Sequence, residues 1–386
     1  LNSYLKNPVV VDVETTISND GNPFDLKNKL VTIQILVKTN NLIWSSFFTK
    51  ENFTDCIPYL DKATLLIGQN IKFDLHWLRR EFEFISKVPI WELQNAEFLF
   101  SNQQWKYPDL DTMCKNYGVG EKISTIEEKY WSKGIDTDQI PLLELVEYGI
   151  HDVELTWLVF LQQVEKFRTS QQSKFALFRL LCNDLLVLQE MEYNGIIYDE
   201  IDSLAKAEEI KSSILIIEDK LNELAETYIL NYNSGDDISI LLYGGTKTKE
   251  IRFPIGFYRT GTKIGQPRYK IIKEDIIFPR IVQPLKGSEL SKEGFFATNI
   301  PTLLSLKATG KAKKIINLLL ERSALEKINN TYLKGIPKKR EEMNWPVGNI
   351  HTSLNQCVVS TGRLSSTKPN TQNLADLAKY YCISRY

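Results

Sequence analysis

The sequence predicts an α/β domain with a mixed sheet flanked by helices, followed by a mainly helical region that carries a small β insertion. Short apolar runs alternate with helical periodicities as far as about Lys166. Beyond that point apolar residues recur three and four apart over long stretches. Between Thr246 and Thr298 a Gly/Pro-punctuated segment with alternating patterning interrupts them.

Taken in order, Pro8-Val9-Val10-Val11-Asp12-Val13-Glu14 reads as a buried strand that ends in carboxylates. Leu30 to Val37 and Asn41 to Trp44 read as its neighbours, with Asn40-Asn41 in the turn between them. Leu65-Leu66-Ile67-Gly68 is a further short strand, and a helix is expected from about Phe73 to Phe82. A long helix through Leu185, Leu188 and Met191 should stop at Asn194-Gly195. Another is expected from about Ile201 to Ile229, and helix returns from near Thr302 to Lys334. Alternation in Arg268 to Ile272 and Ile276 to Phe278 marks the β insertion, and the final stretch reads as irregular or strand-like. The expected domains are therefore 1–166, 167–345 with its insertion at about 246–298, and 346–386.

A chain of 386 residues accommodates two or three domains, and 43% hydrophobic residues leave ample material for their cores. No apolar run approaches the ~20 residues of a membrane helix, and no signal peptide opens the chain, so no membrane partner is expected. The cysteines (Cys56, Cys114, Cys182, Cys357 and Cys382) are odd in number, scattered and free of C-x-x-C pairs. That pattern suits free thiols in a reducing cytosol, not a disulfide framework. Three histidines without ligand-like spacing argue against a structural zinc. The net charge of −1 conceals an asymmetry: the first part is rich in Asp and Glu, whereas Lys and Arg dominate from about Lys247 onward. An acidic metal-binding part beside a basic part is what a metallonuclease with a separate DNA-holding element requires.

Side chains two apart on a strand share a face, so Asp12 and Glu14 project together from the strand end. Two adjacent anions repel unless a divalent cation lies between them, and hard oxygen ligands suit Mg²⁺ or Mn²⁺. A lone D-x-E is a weak signal. Asn70-Ile71-Lys72-Phe73-Asp74 adds a carboxylate where a strand gives way to a helix, although Asn70 reads equally well as an ordinary N-cap. Tyr148-Gly149-Ile150-His151-Asp152 places a phenol and a carboxylate on one helical face, a pairing that alone would be a half-exposed Tyr and a solvated Asp. The three together, in this order and these settings, are far more specific.

Asp12-x-Glu14, Asn70-x-x-Phe73-Asp74 and Tyr148-x-x-x-Asp152 resemble the three exonuclease motifs of the DEDD superfamily, in the subtype with tyrosine in the last motif. Val9 to Leu158 is covered, including Pro108-Asp109-Leu110-Asp111 and Trp131 to Ile140, which recur in phage-type family A polymerases. Trp91-Glu92 departs from the Trp-Asp usual in relatives. The resemblance implies an RNase H-like (DnaQ-like) 3′→5′ exonuclease fold and two-metal phosphodiester hydrolysis, with ions ~3.5–4 Å apart. One ion would be held by Asp12, Glu14 and Asp152, and the second by Asp12 with outer-shell help from Asp74. Tyr148 and Glu14 would orient the attacking water, Thr15 and Asn70 would grip the terminal nucleotide, and Phe73 would pack against it.

Met191 to Ile196 and Asn233 to Ile238 resemble thumb landmarks of DNA polymerase I-like enzymes. Thr361-Gly362-Arg363-Leu364-Ser365-Ser366, then Pro369-Asn370 and Gln372-Asn373, resemble the motif with which the family's palm begins. By this likeness Arg363 would contact the primer–template, and Asn370, Gln372 and Asn373 would help bind the duplex. The basic run from Lys311 through Lys313, Lys314, Arg322, Lys327 and Lys334 to Arg340 could track phosphates, or be a solvated helix face. The insertion could extend the DNA grip or dock a processivity factor.

The chain opens at Leu1 and stops at Tyr386, before the position where the family places its catalytic palm aspartate. Both ends are expected to be cut or split from something longer, with palm and fingers supplied by the missing part or by a partner chain. The expected partners are a single-stranded 3′ end and a primer–template duplex. The expected function is that of the proofreading and thumb portion of a family A replicative polymerase. A free-standing exonuclease of RNA processing or repair is the competing enzyme reading, which has no use for the Thr361–Asn373 motif. A non-catalytic DNA-binding subunit is the third, which has no use for four intact carboxylates.

Overall fold

A computed structural model describes residues 5–40 and 42–384. Asn41, and with it part of the expected turn and the start of the third strand, lies outside the described residues. The chain forms two compact units, one comprising Leu1–Glu200 with Ile336–Tyr386, the other Ile201–Gly335.

The first unit is built on a five-stranded sheet of β1 (Pro8–Thr15), β2 (Leu30–Lys38), β3 (Ile43–Phe48), β4 (Leu65–Gly68) and β5 (Ile90–Glu92), in the order β3-β2-β1-β4-β5. β1 pairs antiparallel with β2 and parallel with β4, so the sheet is mixed, as the patterning predicts. β1 lies at its centre, and Val9, Val10 and Val11 are sealed from solvent. This explains why the strand reads as a continuous apolar run instead of an alternation. The short β5 escaped the sequence reading because three residues carry no period.

Around the sheet lie α1 (Ile57–Asp61), α2 (Ile71–Phe82), α3 (Leu93–Phe100), α4 (Leu110–Tyr117), α5 (Thr125–Lys129) and α6 (Leu142–Thr169). α6 packs across β1 and β2 and carries Val153, Val159 and Phe160 into the main core. α7 (Phe175–Asn194) follows and ends, as expected, at Gly195, whose φ of +64° suits glycine. Then come β6 (Ile196–Tyr198) and α8 (Glu200–Ala225), which leads into the second unit.

The second unit is mainly helical. α9 (Gly235–Tyr243) runs into a two-stranded antiparallel ribbon, β7 (Gly245–Phe257) and β8 (Pro267–Phe278), and α10 (Ile300–Ser305) and α11 (Gly310–Lys327) follow. The helix expected from Thr302 to Lys334 is broken between Ser305 and Gly310, where Leu306 and Thr309 are extended, and α11 passes into a π turn at Ile328–Leu333. Leu221, Leu242, Ile315 and Leu319 are central to this unit's core. The strand part of the insertion ends at Phe278, and only a single bridge, Glu289 to Phe296, lies in the remainder up to Asn299.

α12 (Gly335–Glu342) returns the chain to the first unit, where β9 (Asn349–Ile350), β10 (Ser353–Asn355), β11 (Ser365–Thr367), α13 (Asp376–Lys379) and β12 (Cys382–Ile383) are short. β12-β6-β9 form one small sheet and β10-β11 another. A buried polar network joins α2, α7 and β10. Lys72 Nζ donates to Glu192 Oε1 at 2.6 Å and to the Leu354 carbonyl at 2.5 Å, and His76 Nε2 meets Glu192 Oε2 at 2.7 Å. The Leu354 N–H donates to the same carboxylate. All five cysteines are free, four of them buried. No helix among the described residues is long and apolar enough to cross a membrane.

Candidate active site

β1 delivers Asp12 and Glu14 from one face, opposite Gln34 and Thr32 of β2, and its pairing slips between Glu14 and Thr15 where the strand leaves the sheet. α6 brings Tyr148 and Asp152, one helical turn apart, to the same place. Gly149 makes that approach possible. A β-carbon there would lie 2.5 Å from the Gln34 side chain, so only a residue without one lets the helix settle so close to β2. The result is that Asp12, Glu14 and Asp152 each offer an oxygen, all within 4.8 Å of one another.

The electrostatics follow from burial. Glu14 and Asp152 are 9% and 5% exposed. Burial, reinforced by the charge of Asp152 and opposed by Lys122, pushes the Asp12 carboxyl up to about 7. Burial, then Asp12 and Asp152, raises Glu14 as well. Burial also raises Asp152, against the pull of Lys122. Lys122 Nζ stands 2.6 Å from Asp152 Oδ2 and 5.1 Å from the centre of the Tyr148 ring. Burial works against the Lys122 charge, yet Asp152 and Tyr148 hold its ammonium well above the usual range. Burial and the charges of Glu14 and Asp152 in turn raise the Tyr148 phenol. One ammonium against three carboxylates leaves a negative centre.

A divalent cation fits that centre. Asp152 Oδ1 is buried without a hydrogen-bond partner, and a buried unpaired carboxylate oxygen costs free energy unless something positive meets it. The donors are all carboxylate oxygens, the set that magnesium and manganese take.

Asp74 stands outside the close group. Its Oδ1 accepts from the Val13 N–H at 3.0 Å, between the two strand carboxylates, and burial followed by the Asp12 charge raises its carboxyl. Asn70 occupies the N-cap position of α2 at φ +61°, but its side chain does not cap. Glu92 takes that duty, accepting from the Asn70 and Ile71 N–H groups at 2.9 and 2.7 Å and from Gln94 at the head of α3 at 2.9 Å. Burial pushes Glu92 up to about 7. Gly21, at φ +67°, wedges a loop between Thr15 and Phe73, for a β-carbon there would meet them at 2.5 and 3.2 Å. Asn70 and Phe73 line a cavity of about 280 Å³, with Tyr107 from the same domain and Asn355 and Lys368 from the returning segment.

Arg363, Asn370, Gln372 and Asn373 are exposed on the Thr361–Asn373 segment and take no part in the carboxylate centre. Ser366 organises this segment, donating to Asn370 Oδ1 at 3.0 Å and accepting from the Gln372 N–H at 3.1 Å.

Sequence reasoning missed Lys122, Glu92, Gly149 and Gly21. Lys122 follows Gly118-Val119-Gly120-Glu121 with no spacing tied to any motif, so nothing in the chain marks it. Glu92 looked like a departure of no consequence. Gly149 was the readable one, since a small residue beside Tyr148 in a helix calls for close packing.

Residues 1–165 match the family model described as 3′-5′ exonuclease, and residues 273–381 match that described as DNA polymerase family A. DNA polymerase I of Synechocystis is 38% identical over 99 residues, 26% of this chain and 9% of that protein. DNA polymerase I of Bacillus subtilis is 25% identical over 291 residues, 73% of this chain and 27% of that protein. The chain thus spans less than a third of either relative. The solved polymerase domain of Pol1 from M. smegmatis, in complex with DNA primer-template and dNTP, aligns with 97% of this chain and 54% of its own. Its TM-score is 0.61 at 15% identity, a likeness of fold. Fold and site together define a 3′-5′ exonuclease domain. The chain belongs to the family A DNA polymerases, carrying that domain at its N-terminus and part of the polymerase domain over 273–381.

Proposed function

We propose that this chain removes nucleotides from DNA 3′ ends as the proofreading part of a family A replicative polymerase, of the tyrosine-containing subtype. The observation that carries the reading is the convergence of Asp12, Glu14 and Asp152 within 4.8 Å of one another, with Asp152 Oδ1 buried and unpartnered. Asp12, Glu14 and Asp152 would hold one magnesium or manganese ion and Asp12, backed by Asp74, a second; such ions stabilise phosphoryl charge and lower the pKa of water.

The protein's own groups do the rest. Tyr148 lies on the same helical face as Asp152, so its hydroxyl and Glu14 orient the attacking water. Lys122 adds positive charge beside Asp152 where phosphate charge must be tolerated. Thr15 and Asn70 hold the terminal nucleotide and Phe73 packs against it, at the mouth of the cavity that Tyr107 and Lys368 also line. Arg363, Asn370, Gln372 and Asn373, exposed on the segment that matches the polymerase family, bind primer–template duplex. Selectivity comes from fraying: reaching the site means unpairing a few base pairs at ~1.4 kcal/mol each, and a mismatch lowers that cost.

A 5′-labelled single-stranded oligonucleotide incubated with the protein and magnesium should shorten in a ladder from its 3′ end, and stay intact with EDTA. An intact oligonucleotide in magnesium overturns the proposal.

A further inference from the structure

Beyond its base, where Phe278 and Ile276 meet the core of their unit, the ribbon of β7 and β8 buries nothing. Of all its residues only Phe278, at the very end of β8, is buried. Its base is nevertheless fixed. Lys247 Nζ pairs with the buried Asp237 at 2.6 Å, and Arg280 Nε donates to the Tyr243 carbonyl at 2.9 Å. An arm held firmly at its root and bare along its length calls for an outside partner.

Eight basic residues against three acidic ones lie between Gly245 and Phe278. Lys247 serves the base, and Lys273 pairs with Glu250 across the ribbon at 3.4 Å. Lys249, Arg252, Arg259, Lys263, Arg268 and Lys270 form no ion pair among the described residues. The basic run further along behaves differently. Arg322 is buried and held by Glu218 at 2.7 Å and Glu326 at 3.1 Å, Lys311 meets Glu226, Lys334 meets Glu208, and Arg340 meets Glu200. The run expected to track phosphates is largely engaged within the protein, while the ribbon's cations stand open.

Register separates two kinds of partner. On one face the Ile251–Ile272 row is followed by Phe253–Lys270; on the other, Arg252–Ile271 is followed by Pro254–Tyr269. Each of these apolar rows thus has a cation beside it on the same face. Protein-binding patches are depleted of charge at their centre, whereas nucleic-acid surfaces interleave cations with aromatic and apolar contacts. A ribbon of this length extends roughly 40 Å, enough to follow about one turn of duplex.

We infer that the ribbon is a DNA-binding arm, whose open cations lie along the phosphates of the duplex. The inference rests on the proposal above that the chain works on DNA. Most of the ribbon, Gly245–Ile272, falls outside both family matches.

Two full-length variants test it: one with the six open cations changed to Gln, the other with residues 249–273 replaced by a short Gly-Ser turn. Affinity for a fluorescent primer–template duplex is measured from ~50 to ~200 mM salt, alongside digestion of a short single-stranded oligonucleotide. Both variants should bind duplex at least about tenfold more weakly at the low-salt end, with a log–log salt slope reduced by about 3 or more. Their digestion of the short oligonucleotide should equal the parent's. Parental duplex affinity and slope in both variants overturn the arm, as they would if the ribbon served a protein partner. Lack of digestion by the parent itself would instead count against the nuclease proposal, and the duplex comparison would still decide the arm.

Discussion

A carboxyl group surrendering its proton beside two other carboxylates, with little water to help, meets resistance, and Asp12 sits in that position. Its pKa, lifted from the ordinary 3.8 to about 7, has a consequence for stability. A group raised on folding favours the folded state fully below its unfolded pKa, and that contribution drains away as pH climbs through the folded value. Metal-free protein should therefore melt at lower temperature as pH rises from about 4 to about 7, at no more than ~1.4 kcal/mol per pH unit for each group. Magnesium should flatten the dependence by giving the ionised cluster its counter-charge. Melting curves at several pH values, with EDTA and with magnesium, check both signs. Asp12→Ala should keep its fold while losing at least ~10³-fold in digestion rate, about 4 kcal/mol of transition-state stabilisation; single-turnover kinetics would read it. Lys122→Met should cost about 3 kcal/mol in metal-free urea titrations, because it strips Asp152 of its cation, and much of that loss should return with magnesium.

Elements explain why these residues meet. A strand sealed on both faces presents Asp12 and Glu14, and a helix lies across it only because position 149 has no side chain. Gly149→Val should force α6 away from Gln34, cost about 1–3 kcal/mol, and depress digestion more than folding, since Tyr148 and Asp152 move with the helix. Thermal melts compared with digestion rates separate the two effects. At this scale much was legible. The central strand, its antiparallel neighbour, β4 and the helices flanking Asp74 and Asp152 announced themselves by period and by Asn194-Gly195 punctuation. Residues that act across the sheet were not legible. Glu92 caps two helices from a three-residue strand too short to show any pattern, and the extended Leu306 and Thr309 split a helix whose apolar spacing continues past them. Periodicity reports a segment's own face and is silent about which distant backbone its side chains serve.

The whole molecule shows a chain that leaves its first unit near Glu200 and returns to it at Ile336. No spacing in the sequence announces this return, because it depends on Glu192 being the one carboxylate that Lys72, His76 and the Leu354 N–H share. Glu192→Ala should destabilise this unit by about 3–5 kcal/mol, leaving a buried ammonium unpaired, and urea unfolding would record it. Charge asymmetry was readable as a sum, but which cations remain open required coordinates: those of α11 and α12 are mostly paired, those of the ribbon mostly not. Asp12, Glu14 and Asp152, from the first and third motifs, lie together, whereas Asp74 of the second stands outside the close group, and the counter-charge, Lys122, was hidden in an unpatterned connection.

Asp12, Glu14 and Asp152 must together form a cation-binding centre for any of this chemistry to occur. Manganese binding, followed by electron paramagnetic resonance on the metal-stripped chain, measures it without reference to catalysis. The account predicts saturable binding of two ions per chain, with at least one lost in Asp12→Ala and magnesium competing for both. Absence of saturable binding, or binding unchanged by Asp12→Ala, would contradict it.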